Sequence, residues 1–132
     1  MNPAVEKLRQ RIQQSKSLLC VGLDPDLAKL PKKFLELPNP QWEFCKWVID
    51  QTAQYVCAFK PNPAFFEARG HSGMAELFLV CQYITEQYPK IFLILDSKRG
   101  DIGNTNLGYC EEAFGWANAD AVTVSPYLAK KP

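Results

Sequence analysis

The order of apolar stretches in the chain predicts an α/β fold built on a parallel sheet. Stretches of helical periodicity alternate with short apolar runs: one helix, then strand and helix three times, then a last strand. Such an order gives parallel strands joined by right-handed crossovers. The strand-like runs also end alike, at Asp24, at Lys60, at Asp96 with Lys98, and at polar Ser125. In a parallel sheet or barrel these ends share one edge, where α/β enzymes hold their chemistry. Finally, the run Ile-Phe-Leu-Ile-Leu at 91–95 is unbroken, as in a strand buried on both faces.

Each element has its own signature. Asn2-Pro3 offers an N-cap followed by proline at the first helical position. Val5, Leu8 and Ile12 follow at helical spacing among Lys, Arg and Gln, predicting an amphipathic surface helix. Residues 17–23 are the first strand, closed by Asp24-Pro25-Asp26. Pro31, Pro38 and Pro40 break up the connection 29–40. Asn39-Pro40 repeats the cap signature, and Phe44, Trp47, Val48 and Tyr55 lie near one stripe of the helix it opens. Residues 56–59 form the second strand, stopped just past Lys60 by Pro61 and Pro63.

Gly70-His71-Ser72-Gly73 opens the next helix, with Met74, Leu77, Phe78, Cys81, Ile84 and Tyr88 as its stripe. The central strand then runs into Asp96 and Lys98, which share a face if the strand continues, with Ser97 opposite. Gly100 permits a turn that residues with a Cβ resist, and Asp101 and Thr105 follow as the chain enters a helix. In that helix Leu107, Cys110, Phe114 and Ala117 form the expected inner stripe, with Glu111 and Glu112 outward. Residues 121–124 are the last strand, and Lys130-Lys131-Pro132 is a frayed end.

With 132 residues, 47% hydrophobic and 22% charged, the chain has the make-up of one soluble globular domain. A net charge of +1 argues against a nucleic-acid binder that neutralises many phosphates, but leaves room for one small anion. Cys20, Cys45, Cys57, Cys81 and Cys110 are odd in number and widely spaced, so buried reduced thiols are expected rather than disulfides or zinc. No signal core or membrane-length apolar run occurs, which fits a cytoplasmic protein without a membrane partner. His71 lies in a polar loop and reads as solvated, Arg99 as an ion-pair former, and the aromatic stripes as core.

The strand-end residues resemble those of the orotidine 5′-phosphate decarboxylases, in the bacterial subgroup with Asp-x-Lys-Arg-Gly-Asp-Ile-x-x-Thr. Here that motif is Asp96-Ser97-Lys98-Arg99-Gly100-Asp101-Ile102-Gly103-Asn104-Thr105. Val21-Gly22-Leu23-Asp24, Ala58-Phe59-Lys60-Pro61-Asn62 and Val122-Thr123-Val124-Ser125-Pro126-Tyr127-Leu128 support it in the right order. The resemblance implies a TIM (β/α)8 barrel, a homodimer with shared active sites, and no metal or organic cofactor. With four strands in residues 1–132, the chain resembles the amino-terminal half, strands 1–4, of such a barrel.

The implied reaction is decarboxylation of orotidine 5′-monophosphate to UMP in pyrimidine biosynthesis. Lys60, Asp96, Lys98 and Asp101 would form its charge network, with Lys98 as proton donor. Asp24 and Lys60 would bind ribose hydroxyls, Asp101, Ile102 and Thr105 would reach the partner's site, and Ser125 would contact the pyrimidine. Phosphate-binding residues would lie in the other half, so the chain alone is expected to be a poor catalyst or none. Two alternatives stand beside this. One is a related Mg²⁺-dependent sugar-phosphate decarboxylase sharing the Asp-x-Lys-x-x-Asp core; the other is a non-catalytic half barrel that only self-associates.

Overall fold

The computed structural model describes residues 2–127, so the expectations for Leu128 and the terminal Lys130-Lys131-Pro132 lie outside the described residues. Four strands, β1 (Cys20–Leu23), β2 (Ala58–Pro61), β3 (Phe92–Arg99) and β4 (Ala121–Val124), form one parallel sheet in the order 1-2-3-4. Its register pairs Gly22 with Lys60, Ala58 with Phe92, and Ile94 with Ala121. The helices are α1 (Pro3–Ser15), α2 (Lys32–Leu35), α3 (Pro40–Thr52), α4 (Ala64–Glu67), α5 (His71–Gln87) and α6 (Gly103–Cys110). A π-helical stretch, Glu111–Trp116, extends α6. This is the parallel β/α arrangement that the alternation of apolar stretches predicts.

Period-two alternation divides the sheet into two faces. Leu23, Phe59, Leu93 and Leu95 face the helices and share one core with Cys45, Ile49, Leu77, Val80, Ile84, Ala113 and Ala117. The other face carries Ala58, Phe92, Ile94 and Ala121, and α1 covers its lower part with Ala4, Leu8 and Ile12. Asn2 caps α1 as expected, its side chain accepting the Ala4 N–H at 2.9 Å. Arg11 donates to Val56 O at 2.9 Å and Ala53 O at 2.5 Å, and Lys7 pairs with Asp120 at 2.6 Å. These bonds lock α1 across the strand starts.

Several expectations need correction. Ala4, not Val5, faces inward on α1; Val5 is exposed. The first strand begins at Cys20, because residues 17–19 lie opposite the turn by which the chain leaves α3. The second continues through Lys60 to Pro61. Asn39 makes no side-chain cap; the Trp42 N–H at that helix start goes to Glu76 Oε2 instead, at 2.8 Å. Cys45 and Ile49 with Gln41 form the inner face of α3, whereas Trp47 and Tyr55 are exposed and Phe44 and Trp47 stack with Phe34 of α2.

Leu77, Cys81 and Ile84 of α5 are buried as expected, with Met74 and Tyr88 packed beside them and Phe78 at the rim. The stripe on α6 is overturned: Leu107, Cys110 and Phe114 are exposed, and Ala113 joins Ala117 inside. The π-helical turn, in which the Ala117 N–H bonds Glu112 O, shifts the phase of the face by one residue. All five cysteines are free, but only Cys45, Cys57 and Cys81 are buried; Cys20 lies on an edge strand and Cys110 on the outer side of α6. Among the described residues no helix is long and apolar enough to cross a membrane.

Candidate active site

The face that α1 covers below turns polar above it. Gly22, Lys60, Asp96 and Thr123 stand two or four residues beyond Cys20, Ala58, Phe92 and Ala121, so alternation brings all four onto one surface. Asp96 is at its centre and is buried. Lys60 Nζ makes a short hydrogen bond to its Oδ2, while Lys98 Nζ lies 2.8 Å and Thr123 Oγ1 2.8 Å from its Oδ1. Burial works against the Asp96 charge, yet the hydrogen bonds from Lys60, Lys98 and Thr123 outweigh it and hold the carboxyl at about 2. The same bond to Asp96 keeps the Lys60 ammonium above its ordinary range; desolvation opposes this and the charges of Asp96 and Asp24 assist.

The left-handed residue of this segment is Lys98, with φ 51°, two positions before the glycine to which the sequence assigns the turn. The register explains it. Leu95 pairs with Val122 and Arg99 with Val124, so β3 carries two more residues than β4 across this interval. The Lys98 N–H then donates to Thr123 Oγ1 at 3.0 Å. Thr123 therefore joins the carboxylate to the lysine's backbone. It escaped the sequence reading, although it is the polar residue of an otherwise apolar strand and shares Ala121's face. The Lys98 side chain is 62% exposed, which leaves its ammonium open to an incoming molecule.

The remaining candidates divide. Asp24 is exposed and folds back over Gly22, where an added Cβ would lie 3.7 Å from Asp24 Oδ2, opposite Lys60 in the register. Asp101 is held apart from the lysines: its N–H donates to Asn106 Oδ1 at 2.9 Å, and its Oδ1 accepts the Ile102 N–H at 2.7 Å. Ile102 is 69% exposed, and Thr105 lies in the first turn of α6. Ser125 follows β4 and donates its N–H to Arg99 O at 2.7 Å. Arg99 is an ion-pair former as expected, gripping Glu112 through two nitrogens and Glu67 at 2.6 Å. Thus Lys60, Asp96 and Lys98 meet with Asp24 beside them, whereas among the described residues Asp101, Ile102 and Thr105 make no hydrogen bond or ion pair with that cluster. Among the described residues no three His, Cys, Asp or Glu side chains gather as a metal site would require.

The arrangement resembles known proteins. Residues 17–131 match the family described as orotidine 5′-phosphate decarboxylase / HUMPS. The orotidine 5′-phosphate decarboxylase of Flavobacterium johnsoniae is 50% identical over 125 residues, covering 95% of this chain and 46% of that protein. That of Leptospira interrogans is 47% identical over 122 residues, covering 92% and 44%. Among solved structures, Leishmania donovani OMP decarboxylase aligns with a TM-score of 0.77 at 40% identity, covering 94% of this chain and 44% of that one. Leishmania donovani UMP synthase aligns at 0.78 and 42% identity, covering 95% and 25%. The chain spans about half the length of the curated relatives it matches, and its fold is that of part of an OMP decarboxylase TIM barrel.

Proposed function

The chain belongs to the orotidine 5′-phosphate decarboxylase / HUMPS family, and from that membership we propose that its strand-end cluster serves the decarboxylation of orotidine 5′-monophosphate to UMP. The observation that carries this reading is one buried carboxylate between two lysines, one of them exposed and strained toward the open end of the sheet. Loss of CO₂ from C6 of a pyrimidine leaves an electron pair without conjugation, so the transition state needs positive charge near C6. Lys98 supplies that charge and then the proton, acting as general acid.

Asp96, ionised throughout the neutral range, does two things. It holds the Lys98 ammonium in place through their ion pair, and it repels the carboxylate that is to leave. Two like charges at about 4 Å interact by roughly 4 kcal/mol at an effective dielectric of 20, and departure of CO₂ relieves that repulsion. Lys60 balances Asp96, and with Asp24 it offers a donor and an acceptor to vicinal ribose hydroxyls. Ser125, just past β4, faces the pyrimidine. Asp101, Ile102 and Thr105 serve the site of a second copy in a homodimer; the exposure of Ile102 and the Asp101 carboxylate's bond to the Ile102 N–H, with no ion pair to Lys60 or Lys98 among the described residues, support this.

The test is release of labelled CO₂ from carboxyl-labelled orotidine 5′-monophosphate, by the purified chain and by the chain completed with the remainder of the Flavobacterium johnsoniae relative. Lys98→Ala is expected to abolish turnover in the completed protein without unfolding it. Asp101→Ala mixed with Lys98→Ala should regain activity through hybrid dimers. A Lys98→Ala protein that keeps substantial turnover overturns the acid role, and mixtures that regain none overturn the shared site.

A further inference from the structure

A second polar cluster, two of its three members buried and the third, Arg69, half-buried, lies beneath the segments that follow β1 and β2. Gln41 is fully buried and Glu76 is 2% exposed. The Gln41 amide uses both of its N–H groups, donating to Pro25 O at 2.9 Å and to Phe65 O at 2.8 Å. Its carbonyl oxygen accepts from Arg69 Nη1 at 2.9 Å, and Arg69 forms a short pair with Glu76 Oε1. Glu76 Oε2 takes the Trp42 N–H. The direction of this relay is fixed. Arg69 can only donate, so the Gln41 oxygen must face it and the amide nitrogen must face the two carbonyls.

The two carbonyls belong to the segments that carry candidate site residues. Pro25 directly follows Asp24, and Phe65 lies just beyond the Lys60-Pro61-Asn62 strand end. The segments also touch through the Asn62 N–H, which donates to Leu23 O at 3.2 Å. Close packing of α5 on α4 sets the relay in place: a Cβ at Gly73 would overlap Phe66 O. Apolar side chains of the same volume would fill this space without the cost of desolvating a charged pair, since buried ion pairs seldom gain stability over hydrophobic replacements. What the relay adds is geometry between two loops.

We propose that Gln41, Arg69 and Glu76 are positioning residues, holding the loop after β1 against the loop after β2 so that Asp24 stays beside Lys60. The inference rests on the reading of Asp24 and Lys60 as the hydroxyl-binding end of the site. Gln41→Met keeps the side-chain length and removes both donors; Glu76→Gln keeps the shape and removes the anchoring charge. Amide exchange, followed by NMR on the purified 132-residue chain, reads the brace without any need for activity. In both variants the Asp26 and Asn62 amides, bonded to Asp24 O and Leu23 O, should exchange at least tenfold faster, while the Leu93 amide in β3 is unchanged.

Uniform acceleration of all three amides would reduce the cluster to a general contribution to stability and overturn the proposal. If neither variant folds, the unaltered chain decides: Asp26 and Asn62 must exchange at least tenfold slower than the exposed amides of the α6 start, and equal rates overturn it. In parallel, in the chain completed with the remainder of the Flavobacterium johnsoniae relative, binding of orotidine 5′-monophosphate should weaken at least tenfold in Gln41→Met. Absence of nucleotide binding by that completed protein counts against the proposed function alone, and the exchange rates still decide the brace.

Discussion

Replacing Thr123 by valine isolates the one hydroxyl that ties β4 to the charged cluster. The side chain keeps its shape, but Asp96 Oδ1 loses a donor at 2.8 Å and the Lys98 N–H loses an acceptor at 3.0 Å. A hydrogen bond to a charged group is worth about 1.5–3 kcal/mol and a neutral one about 0.5–1.5. Asp96 keeps both lysines, which lowers the first figure, so a net loss of about 2–3 kcal/mol is expected. For a domain of this size about 1 kcal/mol moves Tm by roughly 3–5 °C, so the valine variant should melt roughly 6–15 °C lower. Its Asp96 carboxyl, followed by carbon NMR, should also titrate above the wild-type value of about 2, because one of three donors is gone. Thr123→Ser keeps the hydroxyl and should preserve the titration. A valine variant melting within about 2 °C of wild type, with Asp96 unchanged, refutes the bridging role of Thr123.

Other substitutions probe the same region. A left-handed residue bearing a Cβ costs about 1–2 kcal/mol, so Lys98→Gly should be more stable than Lys98→Ala by about 1 kcal/mol in urea titrations; equal midpoints would mean that the turn relaxes when the lysine is lost. Asp96 is depressed from 3.8 to about 2, so its stabilising contribution is full above its unfolded value and lost as pH falls through the folded one. Unfolding midpoints of the wild type should therefore drop between about pH 4 and pH 2, and Asp96→Asn should remove that part of the slope; an unchanged slope would assign it to other carboxylates. Gly73→Ala should lower Tm sharply, because its Cβ would overlap backbone at Phe66; a melt near wild type would show that α5 can slide.

How far the sequence carried depended on whether one segment or two had to be known. The strands were legible from apolar runs, and their polar ends from period-two alternation, which is local. Lys60, Asp96 and Lys98 meet because two such ends, those of β2 and β3, sit side by side. The α6 stripe was not legible, since exposed Leu107 and Phe114 fit a regular helix and nothing in the residues announces the π-helical phase shift. Gln41 and Glu76 were passed over for a related reason. Each is an ordinary helix residue until its partners, contributed by separate helices and loops, are brought to it. The stripe expected on α3 holds in part: Phe44 and Val48 pack against the core, whereas Trp47 is drawn outward onto Phe34 of α2, a short helix that no periodicity in the sequence announces.

The end of β3 shows why such a site departs from regular structure. Strict pairing with β4 would continue past Leu95, yet the strand holds two surplus residues there, with Lys98 left-handed and the buried Ser97 Oγ without a hydrogen-bond partner. A left-handed lysine costs about 1–3 kcal/mol and an unpaired buried hydroxyl about 1–3 more. The structure offsets this from both sides. Thr123 binds the Lys98 N–H, Ser125 returns pairing to Arg99, and the Arg99 guanidinium is clamped by Glu67 and by both oxygens of Glu112. Without the surplus residues Lys98 would remain in the ladder opposite β4. With them it has no ladder partner on β4, its N–H turns to the Thr123 hydroxyl, and its ammonium reaches Asp96 while staying open to solvent. A polar clamp on either side of one strained lysine is the arrangement expected where position at the open end of the sheet matters more than local stability.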